Sequence, residues 1–203
     1  GLRYYHHFLK MFDSQLKNRI HKKIACITDI DPMCNGETCY PYEYEIDKNS
    51  SYTHHADTET ALYSEHPNIR YFRQGEQYGK TLEYEIAFCN PTCKLLLTDS
   101  IKNKDELNDL MEMQTSTTML ERLRKSEEND RIKRSMDACN WSESDKCKAI
   151  IASRYLNSIS KGGNALELSI ALEDNLRLST DDPNKVKVVV PPYIADALEW
   201  LMR

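Results

Sequence analysis

The chain has no apolar run near the ~20 residues that a bilayer-spanning helix needs, and no charged-then-apolar leader opens it. Both absences predict a cytoplasmic protein with no membrane partner. No Cys-x-x-Cys occurs among the seven cysteines. The Cys34/Cys39 and Cys89/Cys93 spacings do not match the common zinc knuckles, and no nearby His pair completes a set. An odd number of cysteines without a pairing pattern predicts reduced thiols. An excess of positive charge is also lacking, since the net charge is −5. That balance argues against a broadly basic nucleic-acid-binding face. Carboxylates that hold divalent ions would bias such a count, however, and a bound ion reverses the local sign. Basic residues cluster locally at Lys17, Arg19, Lys22 and Lys23, at Arg122, Arg124 and Lys125, and at Arg131, Lys133 and Arg134. Solvated helix faces account for them by default. The length of 203 residues suits one substantial domain, or one domain with an insertion.

What is present centres on Ile24-Ala25-Cys26-Ile27-Thr28-Asp29-Ile30-Asp31-Pro32. The run Ile24–Thr28 is rich in β-branched residues and too short for a helix, so it reads as a buried strand. Side chains two apart on an extended backbone point the same way. Asp29 and Asp31 are therefore expected to aim both carboxylates at one point beyond the strand's end, where open α/β sheets bind ligands. Two converging carboxylates suit Mg²⁺ or Mn²⁺. Aspartate is also common in the turn after a strand, and the motif alone does not separate the two readings.

The spacing predicts a helix over Leu2–Lys17, with Leu2, Tyr5, Phe8, Leu9, Phe12 and Leu16 as its stripe. No strand precedes it, which predicts that the chain begins partway into a domain. Cys34–His66 is polar and aperiodic and reads as a long irregular excursion with one short helix near Asp57–Ser64. Asn68–Arg73 reads as a second strand, followed by a turn with Gly75 and Gly79. Thr81 is the expected N-cap of the next helix, with Leu82, Ile86 and Cys89 or Phe88 facing the core. Glu83 falls in that helix's first turn, where the dipole favours a negative side chain; it reads either as a capping-region glutamate or as a metal ligand. Lys104–Cys139 holds no glycine or proline and reads as a two-helix hairpin with a break near Gln114–Thr118. Another helix is expected over Asp145–Ile159, and one more from Asn164 to Leu176. Lys161-Gly162-Gly163 stands between these last two. It reads either as a plain C-cap turn or as a place where backbone approaches an anion in front of a helix N-terminus. Val186–Val190 is an extended apolar run, and an amphipathic helix closes the chain after Pro191-Pro192.

Asp29/Asp31 after a strand, Thr81-Leu82-Glu83 after a second strand, Lys161-Gly162-Gly163 before a helix and Pro191-Pro192-Tyr193-Ile194 near the end come in one order. In that order they resemble the C-terminal half of the OLD family of ATP-dependent nucleases, which join an ABC-type ATPase domain to a Toprim nuclease domain. The likeness runs from Leu2 to Trp200. It is clearest in Ile24–Pro32, Thr81–Ala87, Ser160–Leu172 and Pro192–Leu201, and weak across Asn35–Ser64 and Lys104–Cys139.

The resemblance implies a Toprim-like α/β fold, a partly parallel sheet flanked by helices with a helical insertion. The family's first strand, with its metal-binding glutamate, is expected upstream of Gly1. The implied organisation is a first core part over residues 1–103, an insertion over 104–141 and a second core part over 142–203. Asp29 and Asp31 look like the family's Asp-x-Asp metal pair. Glu83, with Thr81 beside it, looks like the contribution to a second metal. Lys161 looks like the lysine that stabilises the phosphate. The implied activity is Mg²⁺- or Mn²⁺-dependent cleavage of DNA, with catalytic residues Asp29, Asp31, Glu83 and Lys161 and metal contacts from Asp29, Asp31, Thr81 and Glu83. ATP would bind only in an N-terminal ATPase domain, itself a partner and a route to a homodimer, and phage defence is the implied setting. A non-catalytic interaction module on a degenerate Toprim fold is the alternative.

Overall fold

The computed structural model describes residues 7–17, 19–46, 51–54 and 56–203. The protein is mixed α/β, about half helical, with a small parallel sheet. The chain divides into two compact units. The first is Gly1–Pro41, Ser50–Thr81 and Pro191–Arg203; the second is Tyr42–Asn49 and Leu82–Val190.

The first unit contains β1 (Ile24–Ile27), β2 (Met33–Cys34), β3 (Glu37–Thr38), β4 (Tyr52–Thr53), helix α1 (Asp57–Leu62) and β5 (Ile69–Phe72). β1 and β5 pair in parallel, with Ile24 opposite Ile69 and Ile27 opposite Phe72. Both strands expected from the apolar runs are therefore present, each slightly shorter than the run itself. Leu9, Ile69 and Tyr71 form the core beneath them, joined by Phe12, Ile24, Cys26 and Tyr63.

The expected helix over Leu2–Lys17 is corrected. Residues 1–6 lie outside the described residues. Helix is present at residues 7–9, and residues 10–17 run through turns. Side chains compete for the backbone there. Asn68 Nδ2 donates to the Phe12 carbonyl at 2.6 Å, and the Asp13 carboxylate accepts from the Gln15 N–H at 2.8 Å and sits 3.0 Å from His66 Nε2.

The excursion after β1 is also more ordered than its polarity suggests. β2 pairs antiparallel with both β3 and β4. The β2–β3 hairpin turns at Asn35-Gly36, whose φ angles are +52° and +85°. Two positive φ values at the centre of a two-residue loop are what a type I′ turn requires, and Asn-Gly supplies them at least strain.

The second unit holds α2 (Leu82–Cys89), α3 (Lys104–Glu112), α4 (Ser116–Arg122), α5 (Glu127–Ala138), α6 (Glu143–Leu156) and α7 (Lys161–Arg177). α6 is its spine and packs against α2, α3, α4 and α5. Every residue from Ala149 to Tyr155 is buried, the pattern of a helix surrounded on all sides. Ala87 on α2 and Ala149 and Ala152 on α6 are wholly buried, and side chains this small let helix backbones approach closely. α2 buries Tyr84, Glu85, Ala87 and Phe88 and leaves Leu82 exposed, so its inward face is rotated from the expected one.

The stretch expected as a two-helix hairpin is three helices. The break before α4 comes where expected, with Thr115 accepting the Thr118 N–H. A second break precedes α5, where Ser126 accepts the Asn129 N–H. Each cap satisfies one of the backbone donors that a helix start leaves open. Inside this bundle Arg154 Nη2 donates to Glu106 Oε2 at 2.8 Å, and the Arg124 N–H donates to Glu106 Oε1 at 2.7 Å. Burial pushes the Glu106 carboxyl up, but these bonds and the neighbouring guanidinium charges outweigh it and hold it below its usual range.

Residues 185–191 have no regular secondary structure. Two asparagines take the place of neighbouring strands. Asn175 accepts from the Val186 N–H and donates to its carbonyl, at 2.8 and 2.9 Å. Asn90 does the same for Val189, at 2.7 and 2.8 Å. The chain then re-enters the first unit as α8 (Pro192–Met202), which packs on β1 and β5.

Candidate active site

Asp29 and Asp31 lie beyond the carboxyl end of β1, in the loop that the parallel sheet leaves on that side. The loop after β5 holds it in place. Gln74, almost wholly buried, donates from Nε2 to Asp29 Oδ1 at 2.9 Å and accepts the Ile30 N–H at 2.8 Å. The Asp31 N–H donates to the Lys80 carbonyl at 3.0 Å. Lys80 is itself fixed, with Nζ donating to the Cys39 carbonyl at 2.9 Å and resting 4.4 Å from the centre of the Tyr40 ring. One buried amide thus orients a carboxylate and pins the next backbone N–H.

Strand alternation does not set the direction of the second aspartate. β1 ends at Ile27, and Asp31 has φ +42°, a left-handed conformation that aspartate tolerates better than most residues. The loop, not the pleat, positions Asp31. Both carboxylates are half-buried.

Thr81, buried, ends the second stretch of the first unit and immediately precedes α2. Glu83 is in the first turn of α2 and belongs to the second unit. Its Oε2 is buried, makes no hydrogen bond among the described residues, and lies 3.4 Å from Lys161 Nζ. Lys161 is exposed and is the first residue of α7. The expected helix start at Asn164 is therefore corrected, and Lys161-Gly162-Gly163 form the first helical turn. A positive side chain at a helix N-terminus is unfavourable, and Glu83 offsets it while sitting favourably at its own N-terminus. Neither glycine is demanded by space. A side chain at Gly162 would meet nothing within 4 Å, and one at Gly163 would meet only Ser100 Cβ at 3.7 Å.

The start of α7 is anchored by a buried chain of polar groups. Tyr155 Oη donates to Asn164 Oδ1 at 2.7 Å, and Asn164 Nδ2 donates to Thr98 Oγ1 at 3.0 Å. Burial pushes the Tyr155 phenol up to about 12, with the nearby Glu83 charge adding to it. Tyr155 is therefore a donor throughout the working pH range.

The structure joins Asp29 to Gln74 in one unit and Glu83 to Lys161 in the other. Among the described residues no group of three or more His, Cys, Asp or Glu side chains is arranged to hold a metal ion. The donor chemistry of Asp29 and Asp31 still fits Mg²⁺, which is usually held by one or two carboxylates and takes its other ligands from water and substrate phosphate. Gln74, Gly79 and Lys80 are the contributors that the motif reading missed. A glutamine followed by two glycines directly after a strand was the available signal. Comparison with known proteins gives no family model, no curated protein and no solved structure that matches this chain.

Proposed function

We propose that this chain is a metal-dependent DNA endonuclease module of Toprim type, similar to the nuclease half of the OLD family. The observation that supports it best is the Gln74 clamp, which holds Asp29 in place at the carboxyl end of a parallel strand, with Asp31 two residues on. A carboxylate fixed by a buried amide is preorganised and does not have to be ordered when a cation arrives. Divalent ions, when bound, would activate water and neutralise charge at phosphorus. Asp29 and Asp31 would hold them. By the resemblance to that family alone, Thr81 and Glu83 would contribute to a second ion and Lys161 would stabilise the phosphate.

The test is Mn²⁺ binding by calorimetry, followed by nicking of supercoiled plasmid with Mg²⁺ or Mn²⁺. Asp31→Asn is the informative variant because asparagine accepts the left-handed backbone, whereas alanine would add strain. Asp29→Asn combined with Asp31→Asn is expected to abolish Mn²⁺ binding with the fold intact. Binding that survives the double variant would refute the reading. The lack of a three-ligand group among the described residues favours a second reading, a non-catalytic interaction module on a degenerate Toprim fold. That reading expects no Mn²⁺ binding even in the unaltered chain.

A further inference from the structure

The first unit carries a second place with chemistry of its own. A cavity of about 290 Å³ is lined by Arg70, Phe72, Asp196, Glu199, Trp200 and Arg203. Trp200 is its centre. Lys23 Nζ lies 5.3 Å and the Arg70 guanidinium 5.5 Å from the centre of the indole ring. Phe72 packs against the same ring at 6.0 Å. Lys23 Nζ also donates to the Trp200 carbonyl at 3.1 Å. Arg203 is paired with Glu199 at 2.7 Å. Arg70 is exposed, and among the described residues it has no carboxylate partner.

We propose that this cavity binds single-stranded nucleic acid, with an unpaired base against Trp200 and the adjoining phosphates on Arg70 and Lys23. A half-buried indole with exposed cations resting on it combines the two parts such binding needs, an aromatic face for a base and positive charge for the backbone. An arriving base takes the ring face from one of the cations. That side chain is long and solvated, so it can turn outward to a phosphate. Lys23 ends the basic run Arg19-Ile20-His21-Lys22-Lys23. Asp196 and Glu199 on the same rim can accept from the exocyclic amine of a base. The indole face therefore favours a strand, whose bases can stack on it, over an acidic protein tail, which has none.

The proposal is independent of the nuclease reading, because strand binding here needs no metal, and the assay is run in EDTA. The probe is a fluorescently labelled 15-nucleotide DNA strand of mixed sequence at low salt. Anisotropy reports binding, and quenching of intrinsic tryptophan emission reports stacking. The unaltered chain is expected to bind and to be quenched. Trp200→Phe is expected to abolish the quenching, since the other tryptophan, Trp141, is only 8% exposed and lies in the second unit. Arg70→Gln with Lys23→Gln changes two exposed side chains and is expected to weaken binding about tenfold and flatten its salt dependence. Absence of binding at low salt would overturn the proposal, as would quenching that persists in Trp200→Phe. Displacement of the strand by poly-glutamate at equal charge would also overturn it, in favour of an acidic protein partner.

Discussion

At the scale of single residues, the hold on Asp29 depends on a glycine five positions beyond Gln74. A Cβ at Gly79 would stand 2.3 Å from Gln74 Cβ and 2.5 Å from the Gly75 carbonyl oxygen. Those atoms are backbone or next to it, so nothing flexible can yield. Gly79→Ala is expected to cost about 1–3 kcal/mol as an overpacked site and to displace Gln74. Urea denaturation measures the first effect. Amide exchange at Ile30, whose N–H Gln74 now accepts, measures the second; unchanged protection there would show that the clamp does not depend on this turn. Glu85 makes a different kind of residue-scale argument. It is buried on α2, its Oε2 has no hydrogen-bond partner among the described residues, and burial pushes its carboxyl up to about 7. A carboxyl raised in the folded state binds its proton more tightly there than in the unfolded chain. Stability from this group is therefore highest below the unfolded value near 4.5 and falls as pH rises through about 7. Glu85→Gln removes the charge that must be buried. The variant is expected to match the parent near pH 4, below the unfolded value, and to be more stable at pH 8 by on the order of 3 kcal/mol. Chemical denaturation at the two pH values decides it, and equal stability at pH 8 would mean that Glu85 is ionised at little cost.

At the scale of elements, the two glycines at the start of α7 separate structure from function. Glycine in a helix is worse than alanine by about 0.5–1 kcal/mol, and neither Gly162 nor Gly163 is crowded. Alanine at both is expected to raise the midpoint of thermal unfolding by a few degrees. If the stabilised variant also loses plasmid nicking, bare backbone in that turn meets the substrate; if nicking persists, the glycines have no part in it. The same helix shows how far elements could be read from the sequence. Its existence was legible, and its start was placed three residues late because glycines suggested a turn. The parallel strands β1 and β5 were legible from short β-branched runs. The Asn35-Gly36 hairpin was legible in principle, since Asn-Gly is the strongest short hairpin signal, but the polar residues around it read as loop. The helix expected through Lys17 failed for a tertiary reason, because Asn68 and His66, far along the chain, hold Phe12 and Asp13 out of it. The same limit applied at Asp29. The aspartate was visible in its motif, whereas the glutamine that orients it is 45 positions away and has no local periodicity to announce it.

At the scale of the molecule, the order of segments matters more than any one of them. The first unit is assembled from three stretches, and the second unit's main stretch, Leu82–Val190, is threaded between the second and third of these. The parallel pair β1–β5 is therefore completed only by the last stretch of chain, when α8 packs on both strands. α8 brings Tyr193 and Ala197 into burial and sets Trp200 beside Phe72 and Lys23. Burying Tyr193 and Ala197 and half-burying Trp200 is worth about 3–5 kcal/mol by area, a large share of the whole stability of a small domain, about 5–15 kcal/mol. Truncation after Val190 is thus expected to unfold the first unit. The second unit should persist, because its Glu106–Arg154 pair and the helices around α6 lie wholly within the retained chain. Hydrogen exchange followed by mass spectrometry tests this directly: protection should vanish across residues 24–27 and 69–72 and survive across 149–155. Retained protection in β1 and β5 would show that the two strands stand without α8, and the cavity at Trp200 would then be an accessory to the fold and no part of its foundation.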